Sequence, residues 1–132
     1  MRQLSQVAIL SAFVCTLFGC GGGGAPVAVA TDAEFMTDVK ELLQEAGAQL
    51  KRAPAKQEEV SKLEPSHPGA VKRIKMGTII VVWGVPIGTA GQGVLAYEKT
   101  TADKGGPVLL EDGTIKTMTA AEFAAAPKAA KK

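Results

Sequence analysis

The side chains able to do chemistry in this chain are few, and their spacing decides how many can act together. Among 132 residues there is one histidine, His67, and there are two cysteines, Cys15 and Cys20. Nucleophilic catalysis and metal capture both need several groups converging: a base beside a nucleophile and a third group orienting the base, or three or four ligands around an ion. His67 stands in Ser66-His67-Pro68 with no second ligand close in sequence, which suits a solvent-facing or helix-capping position. Ser61 and Ser66 are not set in the strand-turn-helix elbow that exposes a nucleophile. Glu98, Glu111 and Asp112 could meet at one end of a sheet as a carboxylate pair or a Ca²⁺ site. Exposed strand-end and turn carboxylates are the weightier reading, so no catalytic residue, metal site or cofactor is expected.

The balance of 15 basic and 13 acidic residues creates no field that would draw in nucleic acid. Aromatic residues, at 5%, are too sparse for a base-stacking platform. The length fits one small domain with a modest core.

The first twenty residues carry the most specific pattern. Met1 to Gln6 is polar and includes Arg2, and Val7 to Phe18 is almost continuously apolar. A run of roughly a dozen apolar residues is too short to cross a hydrocarbon core of ~30 Å, and polar start plus apolar run are those of a secretory signal. The run closes on Leu17-Phe18-Gly19-Cys20, which resembles the lipobox of bacterial lipoproteins. That resemblance implies cleavage before Cys20 by signal peptidase II, attachment of diacylglycerol to the Cys20 thiol, and acylation of the new amino terminus. Cys15 follows Val14 rather than a small residue and competes poorly. The alternatives are an uncleaved anchor and an ordinary signal peptide with an incidental cysteine. With Cys15 removed and Cys20 lipidated, no thiol remains for a disulfide, and two or three acyl chains at ~0.8 kcal/mol per buried CH₂ hold a protein firmly on a membrane.

Four segments follow: a signal peptide over 1–19, a lipidated Cys20 and tether over 20–30, one domain over 31–127, and a disordered basic tail over 128–132. Gly21 to Gly24 makes the tether flexible. Thr31-Asp32-Ala33-Glu34 has capping-box spacing and opens a helix. Phe35, Val39, Leu42, Leu43, Ala46 and Leu50 form its apolar stripe, opposite Asp38, Glu41, Glu45 and Gln49, and Pro54 stops it. Short helices are expected through Val60 and Leu63 and from Pro68 to a left-handed cap at Gly77. Thr78 to Val85 reads as a strand buried on both faces and as the nucleus of the core. Gly88, Gly91 and Gly93 make residues 86–93 a mobile connection; no Lys-Ser/Thr follows them, as a phosphate loop would require. Val94 to Glu98, Pro107 to Glu111 and Thr114 to Met118 read as further strands. The last two flank Asp112-Gly113, a pair suited to the two positive-φ positions of a type I′ hairpin. Thr119 to Glu122 repeats the capping-box spacing before a short helix carrying Phe123 and ending at Pro127.

From Pro65 to Pro127 the segments Ile80-Val81-Val82-Trp83-Gly84-Val85, Leu95-Ala96-Tyr97-Glu98-Lys99, Gly105 to Thr114 and Met118 to Phe123 resemble small secreted lipoproteins of planctomycete-type bacteria. A leading helix and small sheet ending in an Asp-Gly hairpin are more distantly similar to the heads of pseudopilins. A pilin, however, has a long apolar N-terminal helix in place of a lipobox and glycine tether. Because Gly21 and not Asp follows Cys20, the lipoprotein resemblance favours the outer over the inner membrane.

The fold class expected is α+β, with the amphipathic N-terminal helix on an antiparallel sheet of three to four strands, ending in the Asp-Gly hairpin and a short helix. The function expected is that of a membrane-anchored cell-envelope lipoprotein with a non-enzymatic structural or interaction role, held by Cys20, with envelope proteins as partners. The alternatives are a small ligand-binding module using loop 86–93 near Trp83 and Tyr97, and a pseudopilin-like assembly component. Leu43→Asp tests the stripe: it places an unpaired charge in the core and lowers stability by several kcal/mol. An unchanged melting temperature would show that the stripe is not core.

Overall fold

The computed structural model describes residues 32–131. The capping position Thr31, the tether and the Leu17-Phe18-Gly19-Cys20 motif lie outside the described residues. Helix α1 (Asp32–Leu50) is followed by α2 (Gln57–Ser61) and α3 (Pro68–Lys75). Then come β1 (Ile79–Val81), β2 (Val94–Glu98), one helical turn α4 (Thr101–Lys104), β3 (Gly106–Leu110), β4 (Ile115–Met118) and α5 (Ala120–Ala125). The sheet is a meander in the order β1-β2-β3-β4 with every pair antiparallel. The architecture is α+β, with the long helix on the sheet and a short helix closing the chain.

The sheet separates two apolar clusters. Met36, Val39, Leu42, Leu43 and Ala46 of α1 meet Val60, Ala70, Val71 and Ile74 of α2 and α3 on one face, above Ile79, Leu95, Ala96 and Leu109. Val94, Val108, Leu110, Met118 and Phe123 fill the other face. Alternation along β3 sends Leu109 to the first cluster and Val108 and Leu110 to the second, as the period of two requires. In β2 a register shift between Val94 and Ala96 breaks this alternation, and Leu95 and Ala96 both turn towards the helices. Met36, not Phe35, supplies the first rung of the α1 stripe. Phe35 is half-buried beneath Arg73, whose guanidinium lies 3.4 Å from the ring centroid.

Three expectations need correction. Thr78 to Val85 is not one strand buried on both faces: β1 covers only Ile79–Val81, with Ile80 half-buried, and lies at the sheet edge. After Val82 donates to the Leu95 carbonyl at 2.8 Å, Gly84 turns the chain away with φ +81°. Central positions go to β2 and β3, because their connections bring partners to both sides. The 112–113 turn is also of another kind. Gly113 has φ +86°, but Lys51 is the only non-glycine residue with positive φ among the described residues, so Asp112 keeps the right-handed side. Gly113 N–H donates to Leu110 O at 3.0 Å and Leu110 N–H to Thr114 O at 2.9 Å. This is a three-residue loop with a type I turn and a left-handed glycine, and the Asp112 carboxylate accepts from the Thr114 amide at 2.8 Å.

The third correction concerns the Ala/Lys tail, expected to be disordered over 128–132. Val94 N–H donates to Pro127 O at 2.8 Å, Ala129 N–H donates to Val94 O at 3.0 Å, and Ala129 is buried in the helical-face cluster. The tail takes up the edge of β2 that β1 leaves early, so the partner it needs for order comes from the sheet rather than from its own composition. Gly93 permits this, because a Cβ there would sit 2.7 Å from the Ala129 backbone. Gly93→Ala and removal of residues 128–132 should each cost about 1–3 kcal/mol. Combining them should cost little more than either alone in urea titrations, since both break one contact; full additivity would show that the tail does not depend on that glycine.

Candidate functional site

Two places draw polar side chains inward. The first lies between α1 and α3. Asp38 and Glu45 are seven residues apart, two turns along one face of α1, and His67 enters between them from the residue preceding α3. His67 Nδ1 bonds Asp38 Oδ1 at 2.7 Å and Nε2 bonds Glu45 Oε2 at 3.0 Å. The second Asp38 oxygen accepts from the Ala70 amide at 2.9 Å, capping the first turn of α3 from outside it. Gly69 allows that approach, since a Cβ there would lie 3.3 Å from the same oxygen.

Both ring nitrogens face carboxylates, which only accept, so the arrangement is fully bonded only when the imidazole carries two protons. Burial pulls the His67 pKa down, and the hydrogen bonds and charges of Asp38 and Glu45 outweigh it, leaving the value raised from 6.5. His67 is therefore neither solvent-facing nor capping with its side chain, while Asp38 and Glu45 stay half-exposed on the polar side of α1, as the periodicity predicts. The spacing of Asp38 and Glu45 puts both on one face of α1, but nothing in the sequence places His67, 22 residues beyond Glu45, between them.

The second place is built around Glu111. Its carbonyl accepts from Gly88 N–H at 2.7 Å and Thr89 N–H at 3.2 Å, and its amide donates to Gly93 O at 2.9 Å. Its carboxylate accepts from Gly93 N–H at 3.4 Å. Gly91 leaves room for that carboxylate, which would otherwise lie 1.6 Å from a Cβ. Loop 86–93 is thus pinned at both ends to one residue rather than running as an unattached connection. A cleft of about 250 Å³ opens beside it between residues 84–86 and the tail. A larger one of about 380 Å³ lies between the end of α1 and Val85 to Ile87. Lys51 ends α1 there with φ 56°, and Arg52 is held by Glu59 through two hydrogen bonds. That pairing and the Ala55 amide hold Glu59 down to about 2.

The remaining sequence candidates are not gathered. Glu98 ion-pairs with Arg73 at 3.1 Å at the end of β2 away from Val94, whereas Glu111 and Asp112 lie at the other end, past Leu110, the partner of Val94. Among the described residues no cluster of three or more His, Cys, Asp or Glu is placed to hold a metal ion. Trp83 is half-buried against the helical-face cluster, and Tyr97 stacks at 4.7 Å on Phe123 on the opposite face. The two aromatics therefore do not share a pocket, and neither lines the clefts beside the glycine loop. No protein-family model, curated protein or solved structure matches the chain.

The His67 bridge carries a pH signature. A pKa raised in the folded state means folding takes up a proton: the stabilisation is fully present below 6.5 and is lost as pH rises through the folded value. Melting temperatures should fall over that range in the wild type and stay level in His67→Gln, and His67→Ala should cost about 1–3 kcal/mol at pH 6. Parallel pH curves for wild type and His67→Gln would remove His67 as the cause.

Proposed function

We propose that this chain is a membrane-anchored lipoprotein of the cell envelope whose folded head acts by interaction and not by catalysis. The observation that carries the reading is Leu17-Phe18-Gly19-Cys20 at the end of a polar-then-apolar leader, followed by a glycine tether. The head is consistent with such a role. Its two clusters close over residues 32–131 with no cysteine among them, as a chain whose cysteines are removed or lipidated requires. Among the described residues no helix is long and apolar enough to cross a membrane. The one histidine has both ring nitrogens committed to structural partners, and Glu98 is neutralised by Arg73 at 3.1 Å. These groups hold elements together.

The resemblance to small secreted lipoproteins of planctomycete-type bacteria points the same way, and Gly21 after the anchor cysteine favours the outer membrane. Nucleic acid is not a partner in this reading, given the formal charge of +2. Palmitate labelling of wild type and Cys20→Ser in an exporting bacterial host provides the test. Label should enter the wild type alone, and Cys20→Ser should leave the membrane fraction while keeping its melting temperature. Equal labelling of both proteins, or none in either, overturns the anchor assignment.

A further inference from the structure

The Glu111 carboxylate is under-satisfied. The residue is 9% exposed, its carboxylate receives a single hydrogen bond at 3.4 Å, and among the described residues no cation pairs with it. A carboxylate has about four acceptor positions, and removing it from water without partners is costly. The loop is held mainly by the Glu111 backbone, and the carboxylate adds one long bond, from the Gly93 amide. Gly91 stands where any Cβ would displace this carboxylate, and the group borders the cleft of about 250 Å³.

The other walls of this cleft narrow the chemistry. Val85, Pro86 and Ala130 are apolar, Thr89 adds a hydroxyl, and Lys131 lines the cleft with no hydrogen bond or ion pair, to Glu111 or to any other described residue. Lys128, by contrast, is spent on the Phe123 and Ala126 carbonyls. One cleft therefore holds an unpaired carboxylate and an unpaired ammonium that do not neutralise each other. A bare amine would satisfy Glu111 against repulsion from Lys131, and a bare carboxylate would meet the reverse. A molecule carrying both charges satisfies both walls. The volume is below the roughly 300–1,000 Å³ of sites for drug-sized ligands, which limits the occupant to a small metabolite.

We infer that this cleft binds a small zwitterionic α-amino acid, its ammonium on Glu111, its carboxylate on Lys131, and a short side chain against Val85, Pro86 and Ala130. The inference does not depend on the anchor at Cys20, because every group belongs to the head.

Isothermal titration calorimetry on the full chain in detergent tests it with L-alanine, ethylamine and acetate. L-alanine should bind at least about tenfold more tightly than either single-charge probe. Glu111→Gln, which can still accept from Gly93, and Lys131→Met should each weaken L-alanine at least about tenfold. Melting curves identify any loss of fold in Glu111→Gln, and Lys131→Met, on the exposed tail, keeps the test decisive if that variant unfolds. No heat with L-alanine, ethylamine binding as tightly as L-alanine, or unchanged affinity in Lys131→Met each overturns the assignment.

Discussion

Everything in this head rests on the contact between the α1 stripe and the middle of a four-stranded sheet. Met36, Val39 and Leu42 are wholly buried against a face that includes Leu95 and Leu109, themselves almost fully buried. No covalent staple lies within residues 32–131, so this apolar contact has to offset the chain entropy of its own elements and of the short strands it organises. A sheet with strands of three to five residues does not stand alone. The helix supplies one lid and α5, with Phe123, the other.

Periodicity made most of this visible in advance. The α1 stripe, the strand at Val94 to Glu98, the left-handed Gly77 and the Thr119–Glu122 capping box follow from local rules that depend only on neighbouring residues, and all four occur. Local rules failed where the deciding partner is remote. The β-branched run from Thr78 reads as buried on both faces, but apolar content does not encode position in a sheet, and topology places it at the edge. The tail looked featureless because its partner, the free edge at Val94, is more than thirty residues away in sequence. The turn at Asp112 differs for a smaller reason: a three-residue loop needs only its last position left-handed, and Gly113 provides that.

The polar interior was the least legible layer. Asp38 and Glu45 occupy the outward-facing phase of α1 by periodicity, and His67 arrives from beyond α2 to bond both. Glu111 likewise ends an apolar run and reads as a strand-terminal carboxylate, until the return of loop 86–93 encloses it. In both places glycine marks the meeting point, Gly69 against Asp38 and Gly91 against Glu111. At both places the missing Cβ lets a charged group from a remote part of the chain come against the backbone.

The opposed directions of α1 and α3 give the head a fixed polarity. Phe35, near the start of α1, lies under Arg73, which reaches Glu98, while the far end of α1 borders Val85 to Ile87. At about 1.5 Å of rise per residue, the 19 residues of α1 separate these ends by about 28 Å. Both clefts, which share Val85 and Pro86, therefore open at the end of the head remote from the Arg73–Glu98 pair, so a molecule reaching either one approaches without passing the ion pair that closes the opposite end.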